Sequence, residues 1–201
     1  AELKDVLLLN NGKGSFGRAQ RYGPLSHNGS CVRPADFDGD GDLDLFVGSR
    51  SVPGAYGLSP EQFLMENDGK GSFTNVTLTL AEGLKNIGMV TDAAWMDYDG
   101  DGDPDLLIAG EWMNVRLFRN DHGKFSDATV EADLDGTSGW WNCIEISDID
   151  GDGDPDIIGG NLGLNSLLKA SLKEPVELFL NDFDNNGTPD PVICNFLDGT
   201  S

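Results

Sequence analysis

Histidine, cysteine and basic residues are all scarce in this chain, and each scarcity removes a class of function. The two histidines, His27 and His122, stand far apart in a chain of 201 residues, and His122 falls in a turn. No His and Cys cluster has ligand spacing, so zinc and copper have no donor set. Three cysteines, Cys31, Cys143 and Cys194, leave at least one thiol unpaired and form no CxxC motif. Buried free thiols are the expectation for those in strand-like runs. Thirteen basic residues against 35 acidic ones give a net charge of −22, which excludes a nucleic-acid partner, since phosphate needs a basic surface. No apolar run approaches the roughly 20 residues of a membrane helix, and no signal-peptide pattern is present. The chain opens close to a strand and reads as a mature or excised segment. There is no GxSxG elbow and no serine beside a base, so no catalytic residue is assigned and enzyme activity is not the expectation.

What the chain has instead is one nine-residue acidic stretch written four times. The copies are Asp36-Phe-Asp-Gly-Asp-Gly-Asp-Leu-Asp44, Asp97-Tyr-Asp-Gly-Asp-Gly-Asp-Pro-Asp105, Asp148-Ile-Asp-Gly-Asp-Gly-Asp-Pro-Asp156 and the worn Asp182-Phe-Asp-Asn-Asn-Gly-Thr-Pro-Asp190. Carboxylates at every second position repel one another unless they wrap a cation. A hard divalent cation takes six to eight oxygens in flexible geometry. Positions 1, 3, 5 and 9 supply them: Asp36, Asp38, Asp40 and Asp44; Asp97, Asp99, Asp101 and Asp105; Asp148, Asp150, Asp152 and Asp156; Asp182, Asp184, Asn186 and Asp190. Position 7 (Asp42, Asp103, Asp154, Thr188) varies most in type, which suits a ligand that offers its backbone carbonyl. Position 6 is always glycine, as a tight reversal into left-handed backbone space requires. Oxygen-only ligation favours calcium, up to four ions, over magnesium, which demands a stricter octahedron.

An EF-hand is excluded, because its bidentate Glu at position 12 is here Val47, Ile108, Gly159 or Ile193. Short apolar runs precede and follow each loop, among them Ala93–Met96, Leu106–Ala109 and Cys143–Ile146, and read as buried strands. Each loop therefore closes a hairpin. A second, Gly-rich turn recurs at Asn10–Phe16, Glu66–Phe73 and Arg119–Phe125 and closes another hairpin. Two alternating hairpins make a four-stranded unit. Such a unit, repeating at some tens of residues, predicts an all-β protein, a β-propeller or a fragment of one.

The segments Ala35–Leu45, Leu117–Asn120 and Gly123–Phe125 resemble FG-GAP/VCBS-type repeats, the calcium-loop blades of integrin α-chain propellers and of bacterial secreted or surface proteins. The tail from Asn161 through Asp190 is similar to bacterial VCBS-repeat proteins. The resemblance implies calcium between strands 1 and 2 of each blade and says little about a ligand. Asn161–Glu174 departs from the pattern and carries no Asn/Gly turn.

The expected layout is a single propeller region over 1–201. Residues 1–24 end a blade, 32–77, 90–129 and 141–173 are whole blades, and 176–201 start a further one. A closed four-blade ring and a piece of a larger ring are both compatible with it, the piece being favoured. Weak calcium loops need millimolar calcium, which points to an extracellular, periplasmic or cell-surface setting. The rim opposite the loops carries Arg50, Tyr56, Trp112, Trp140 and Trp141. Of these, Trp112, Trp140 and Trp141 are the candidate ligand face, able to stack on sugar rings or anchor a protein. The expected function is a calcium-binding module that recognises a protein or glycan. The alternatives are part of a polysaccharide-active enzyme, such as a calcium-dependent lyase, or a structural spacer.

Overall fold

The computed structural model describes residues 5–17, 20–21, 27–163 and 166–196. Strands β1 (Val6–Leu7) and β2 (Gln20–Arg21) form a short antiparallel pair. Strands β3 (Asn28–Ala35), β4 (Asp44–Ser51), β5 (Phe63–Asn67) and β6 (Phe73–Asn75) form a four-stranded antiparallel sheet in chain order. A one-turn helix, α1 (Thr77–Leu80), and a 3-10 turn over Glu82–Leu84 lead to the next sheet. That sheet repeats the order with β7 (Met89–Met96), β8 (Asp105–Met113), β9 (Arg116–Asp121) and β10 (Lys124–Asp127). Two hairpins follow: β11 (Gly139–Ser147) with β12 (Asp156–Asn161), and β13 (Glu177–Asn181) with β14 (Asp190–Cys194). The chain is all-β, built of antiparallel meanders as in a propeller fragment.

The apolar run of β8 explains how the sheets stack. Alternate residues of a strand face opposite sides of the sheet. Leu106 and Ile108 pack with Phe37, Phe46, Leu64 and Val90, toward the first sheet. Leu107 and Ala109 pack with Val115, Leu117 and Ile144, toward β11. Both faces of β8 are thus buried, so its sequence reads as one continuous apolar run. Close packing shows at Gly110, where an added Cβ would stand 2.4 Å from the Met89 carbonyl oxygen. A third cluster, Leu45, Val47, Phe63 and Met65, lies on strands β4 and β5.

Strands β3, β7 and β11, the first of each unit, are stitched together by polar bonds. Arg33 Nε donates to the Ala93 carbonyl at 2.7 Å, and its guanidinium pairs with the buried Asp92. The Ile144 amide donates to the other Asp92 oxygen at 3.1 Å. Trp95 Nε1 donates to the Arg33 carbonyl at 3.0 Å, and the Thr91 hydroxyl to the Trp141 carbonyl at 2.8 Å. Trp95 also packs against Phe37 and Phe125, the interior role its strand position predicts.

The expected blades 32–77 and 90–129 fall in the regions of β3–β6 and β7–β10, and the second of these meanders is extended by β11, which pairs with β8 at Gly139–Met113 and Trp140–Glu111. Over 141–173 a whole blade was expected, but the described residues there carry only β11 and β12. Beyond Asn161 the described chain runs in turns, because no Asn/Gly turn is present to fold a second hairpin back. Packing thins accordingly: Ile149, Ile157, Ile158, Phe183 and Ile193 are exposed. Residues 1–4, 18–19, 22–24 and 197–201 of the expected terminal half-blades, and 164–165, lie outside the described residues. All three cysteines are free, with Cys31 buried and Cys143, against expectation, exposed on β11.

Candidate metal centres

Each acidic stretch joins the two strands of a hairpin: β3 to β4, β7 to β8, β11 to β12 and β13 to β14. Within each, the position-1 carboxylate gathers the loop's own amides. Asp36 accepts from Gly39 N at 2.9 Å and Gly41 N at 3.1 Å. Asp97 does the same with Gly100 and Gly102, and Asp148 with Gly151 and Gly153. Asp182 takes Asn186 N and Gly187 N. Positions 3 and 5 then form stacked side-chain turns, as when Asp38 accepts from Asp40 N and Asp40 from Asp42 N. The reversal needs positive φ at position 4 as well as position 6. Gly39 has φ 76° and Gly41 97°, while the fourth copy places Asn185 at φ 59°. Asn is a residue type that tolerates that region.

Position 9 is a latch. One Asp44 oxygen accepts from Phe37 N at 3.2 Å and the other from Asn67 N, on β5, at 2.8 Å. Asp105 repeats this with Tyr98 N and Asn120 N, both at 2.7 Å. Asp156 and Asp190 keep the first half, accepting from Ile149 N and Phe183 N. Burial pushes the Asp44 carboxyl up to about 6; the two amides pull it down and the Asp38 and Asp42 charges push it further up. Asp105 is raised for the same leading reason, burial.

Position 7 behaves differently. Asp103 accepts from His122 N at 2.9 Å and sits 2.8 Å from its Nδ1. Asp42 lies against the turn at Gly69. Both side chains face the neighbouring Gly-rich turn, which brings the two kinds of turn to one rim.

Asn67 and Asn120 were not read from the sequence as part of the site. Asn120 is fully buried; its amide donates to the Phe37 carbonyl at 2.8 Å and the Pro104 carbonyl at 3.1 Å, and its oxygen accepts from Gly123 N. It ties the loop of one sheet to the turn of the next. The available signal was the Asn that precedes the Gly-rich turn at Asn10, Asn67 and Asn120.

These loops fit a hard divalent cation. In the first two, carboxylate oxygens of positions 1, 3 and 5 (Asp36, Asp38, Asp40; Asp97, Asp99, Asp101) lie within 4.8 Å of one another. In the last two, positions 1, 3 and 9 do (Asp148, Asp150, Asp156; Asp182, Asp184, Asp190). A cation with oxygens at about 2.3–2.6 Å spans this separation. Beside this set Asp42, facing the neighbouring turn, keeps one buried oxygen with no donor, and its carboxyl is raised first by desolvation and then by the Asp40, Asp38 and Asp36 charges. Like charges gathered this closely around one point are relieved by an external positive charge.

A sequence profile of the FG-GAP-like repeat matches residues 3–47, 59–108 and 97–159. The chain belongs to the FG-GAP-like repeat family. The first two matches of this FG-GAP-like chain run from the outer pair of one sheet through the loop to the second strand of the next, so the repeat straddles two sheets. No curated protein matches it in a direct sequence comparison.

At the far ends of the same strands a second cluster forms. Glu111, whose side chain is fully buried, binds Arg50 (Nε at 2.8 Å) and accepts from the Tyr56 hydroxyl at 2.8 Å. Trp112 Nε1 donates to the same hydroxyl at 3.0 Å. Trp112 has φ 60°, a conformation that costs a bulky residue on the order of 1–3 kcal/mol. Its ring lies 5.0 Å from that of Trp140, tilted by 46°. Trp141 does not join them: its indole donates to the Thr137 carbonyl at 3.0 Å and packs with the Leu107 cluster. No helix among the described residues is long and apolar enough to cross a membrane.

Proposed function

We propose that this FG-GAP-like chain is a calcium-binding propeller module of an extracellular, periplasmic or cell-surface protein, with the rim opposite its loops recognising a protein or glycan. The observation that carries the reading is the repeated loop: four hairpins, each with an acid at position 1 holding the loop amides and further carboxylates converging beside it. Asp36, Asp38, Asp40 and Asp44, and their counterparts in the other three loops, would hold the ion, with the backbone carbonyl of position 7 completing the set. Calcium would supply the charge that lets these carboxylates share one point and so fix the ends of two strands. The whole described chain then acts as one propeller region, with part-blades at either end.

Native mass spectrometry of the full chain, after dialysis against calcium, tests this. Three to four bound ions are expected, one per loop, and one fewer in Asp40→Ala. A chain that retains no calcium contradicts the reading.

A further inference from the structure

We infer that the paired indoles of Trp112 and Trp140 form the floor of a binding site for a neutral carbohydrate, which deepens and rests on the module proposed above. The two rings open into a cleft of about 640 Å³, at the end of β8 and the start of β11, opposite the metal loops. Its other walls come from the turns after β12, including Leu168 and Pro175. Two features point to a sugar. The first is that the floor is braced at a conformational cost. Trp112 stands at φ 60° at the end of a chain of bonds through the buried Glu111 carboxylate, from Arg50 to Glu111 to Tyr56 to its own indole N–H. Three residues, one a buried carboxylate, thereby hold one aromatic face in place, and strain of this kind gathers at ligand sites.

The second feature is the chemistry of the walls. Among the described residues, none that lines the cleft carries a charge, although the chain is at −22. The polar groups are Ser138, Asn161, Ser166 and Ser171. Gly139 keeps the space open for Asn161, since a Cβ there would stand 2.4 Å from its Nδ2. Aromatic faces ringed by hydroxyl and amide groups match a pyranose, which presents C–H groups on its faces and hydroxyls around its edge. An anionic ligand would meet no cation among the described lining residues and a strongly negative protein around them. A quaternary ammonium group wants an enclosing aromatic cage, whereas two indoles at 46° leave an open cleft.

The test is titration of the full chain in calcium, read by tryptophan fluorescence and calorimetry. The probes are cellohexaose, xylohexaose, mannohexaose, laminarihexaose and maltohexaose, with hexagalacturonate and choline as charged comparators. Saturable binding of at least one neutral hexasaccharide is expected, with neither comparator binding as tightly. Trp140→Ala should weaken it at least about tenfold, as loss of an aromatic anchor does, while calcium-dependent melting stays unchanged. Tyr56→Phe should weaken it less, because the ring stays and only the brace is lost. Absence of binding by every neutral hexasaccharide overturns the inference, as does binding unaffected by Trp140→Ala or stronger binding of either comparator. Calcium-dependent melting of the same sample reads the module proposal separately, so the two can fail independently.

Discussion

Two kinds of carboxylate share each metal loop, and they respond differently to substitution. Asp40 accepts only a neighbouring loop amide, whereas Asp44 is buried and holds Phe37 N and Asn67 N. Asp40→Ala should therefore lower the melting temperature in calcium and leave it nearly unchanged in chelator. Asp44→Ala should lower it in both, since each buried amide left without an acceptor costs about 1–3 kcal/mol. Equal behaviour of the two variants in chelator would contradict the latch. The Asp44 carboxyl also sets a pH dependence. Its value of about 6 lies above the ordinary 3.8, so the metal-free fold binds that proton more tightly than the unfolded chain does. By linkage, Asp44 stabilises the metal-free fold as pH falls from above 6 toward 4, and that contribution is lost as pH rises through 6. The difference in melting temperature between the metal-free parent and Asp44→Asn, followed over that range, should show this slope. At the other extreme, burial and the Asp92 charge push the Cys31 thiol up to about 11. Cys31 should alkylate on the order of a hundredfold more slowly in the native protein than in the unfolded chain at pH 8, as mass mapping of iodoacetamide adducts would reveal.

Among the elements, the loop hairpins are what the sequence made legible, because few residue types can perform each task there. Acids at alternate positions and a glycine at position 6 admit one local path, and the apolar runs beside them admit one secondary structure. Asn67 and Asn120 were not legible as latches. Their partners Asp44 and Asp105 lie on another strand, and only the folded register brings them together. Glu111 was missed for a related reason: an acid at the end of an apolar run looks like a strand terminus until Arg50 and Tyr56 arrive from the preceding sheet. The meeting of Trp112 with Trp140 depends on a positive φ that breaks strand alternation, which no side-chain period announces. Asn120→Ala follows from this level. It strips the Phe37 carbonyl and the Gly123 amide of their partner and should cost at least about 2 kcal/mol. Denaturant unfolding in calcium would measure it, and a change near zero would remove Asn120 as the tie between sheets.

On the scale of the whole molecule, order is graded along the chain. The sheets at Asn28–Asn75 and Met89–Asp127 share a continuous core, whereas β12 and β14 leave Ile157, Ile158, Val192 and Ile193 exposed. Apart from β11, which Ile144 and its pairing with β8 anchor to the core, the two later hairpins have little apolar burial, so the ions in their loops carry more of the stability of β12 to β14. Amide hydrogen exchange should then show chelation deprotecting β12 to β14 more than β4 and β8.

The measurement that bears most directly on the account is thermal unfolding of the full chain in calcium and in chelator. With calcium at roughly 100 times its dissociation constant, each site adds about 2.7 kcal/mol. For a domain of this size each kcal/mol raises the midpoint by about 2–4 °C. Several filled loops should therefore raise it by more than about 10 °C, with Asp40→Ala removing one site's share. Superimposable melts in calcium and in chelator would contradict the assignment of these loops as structural calcium sites.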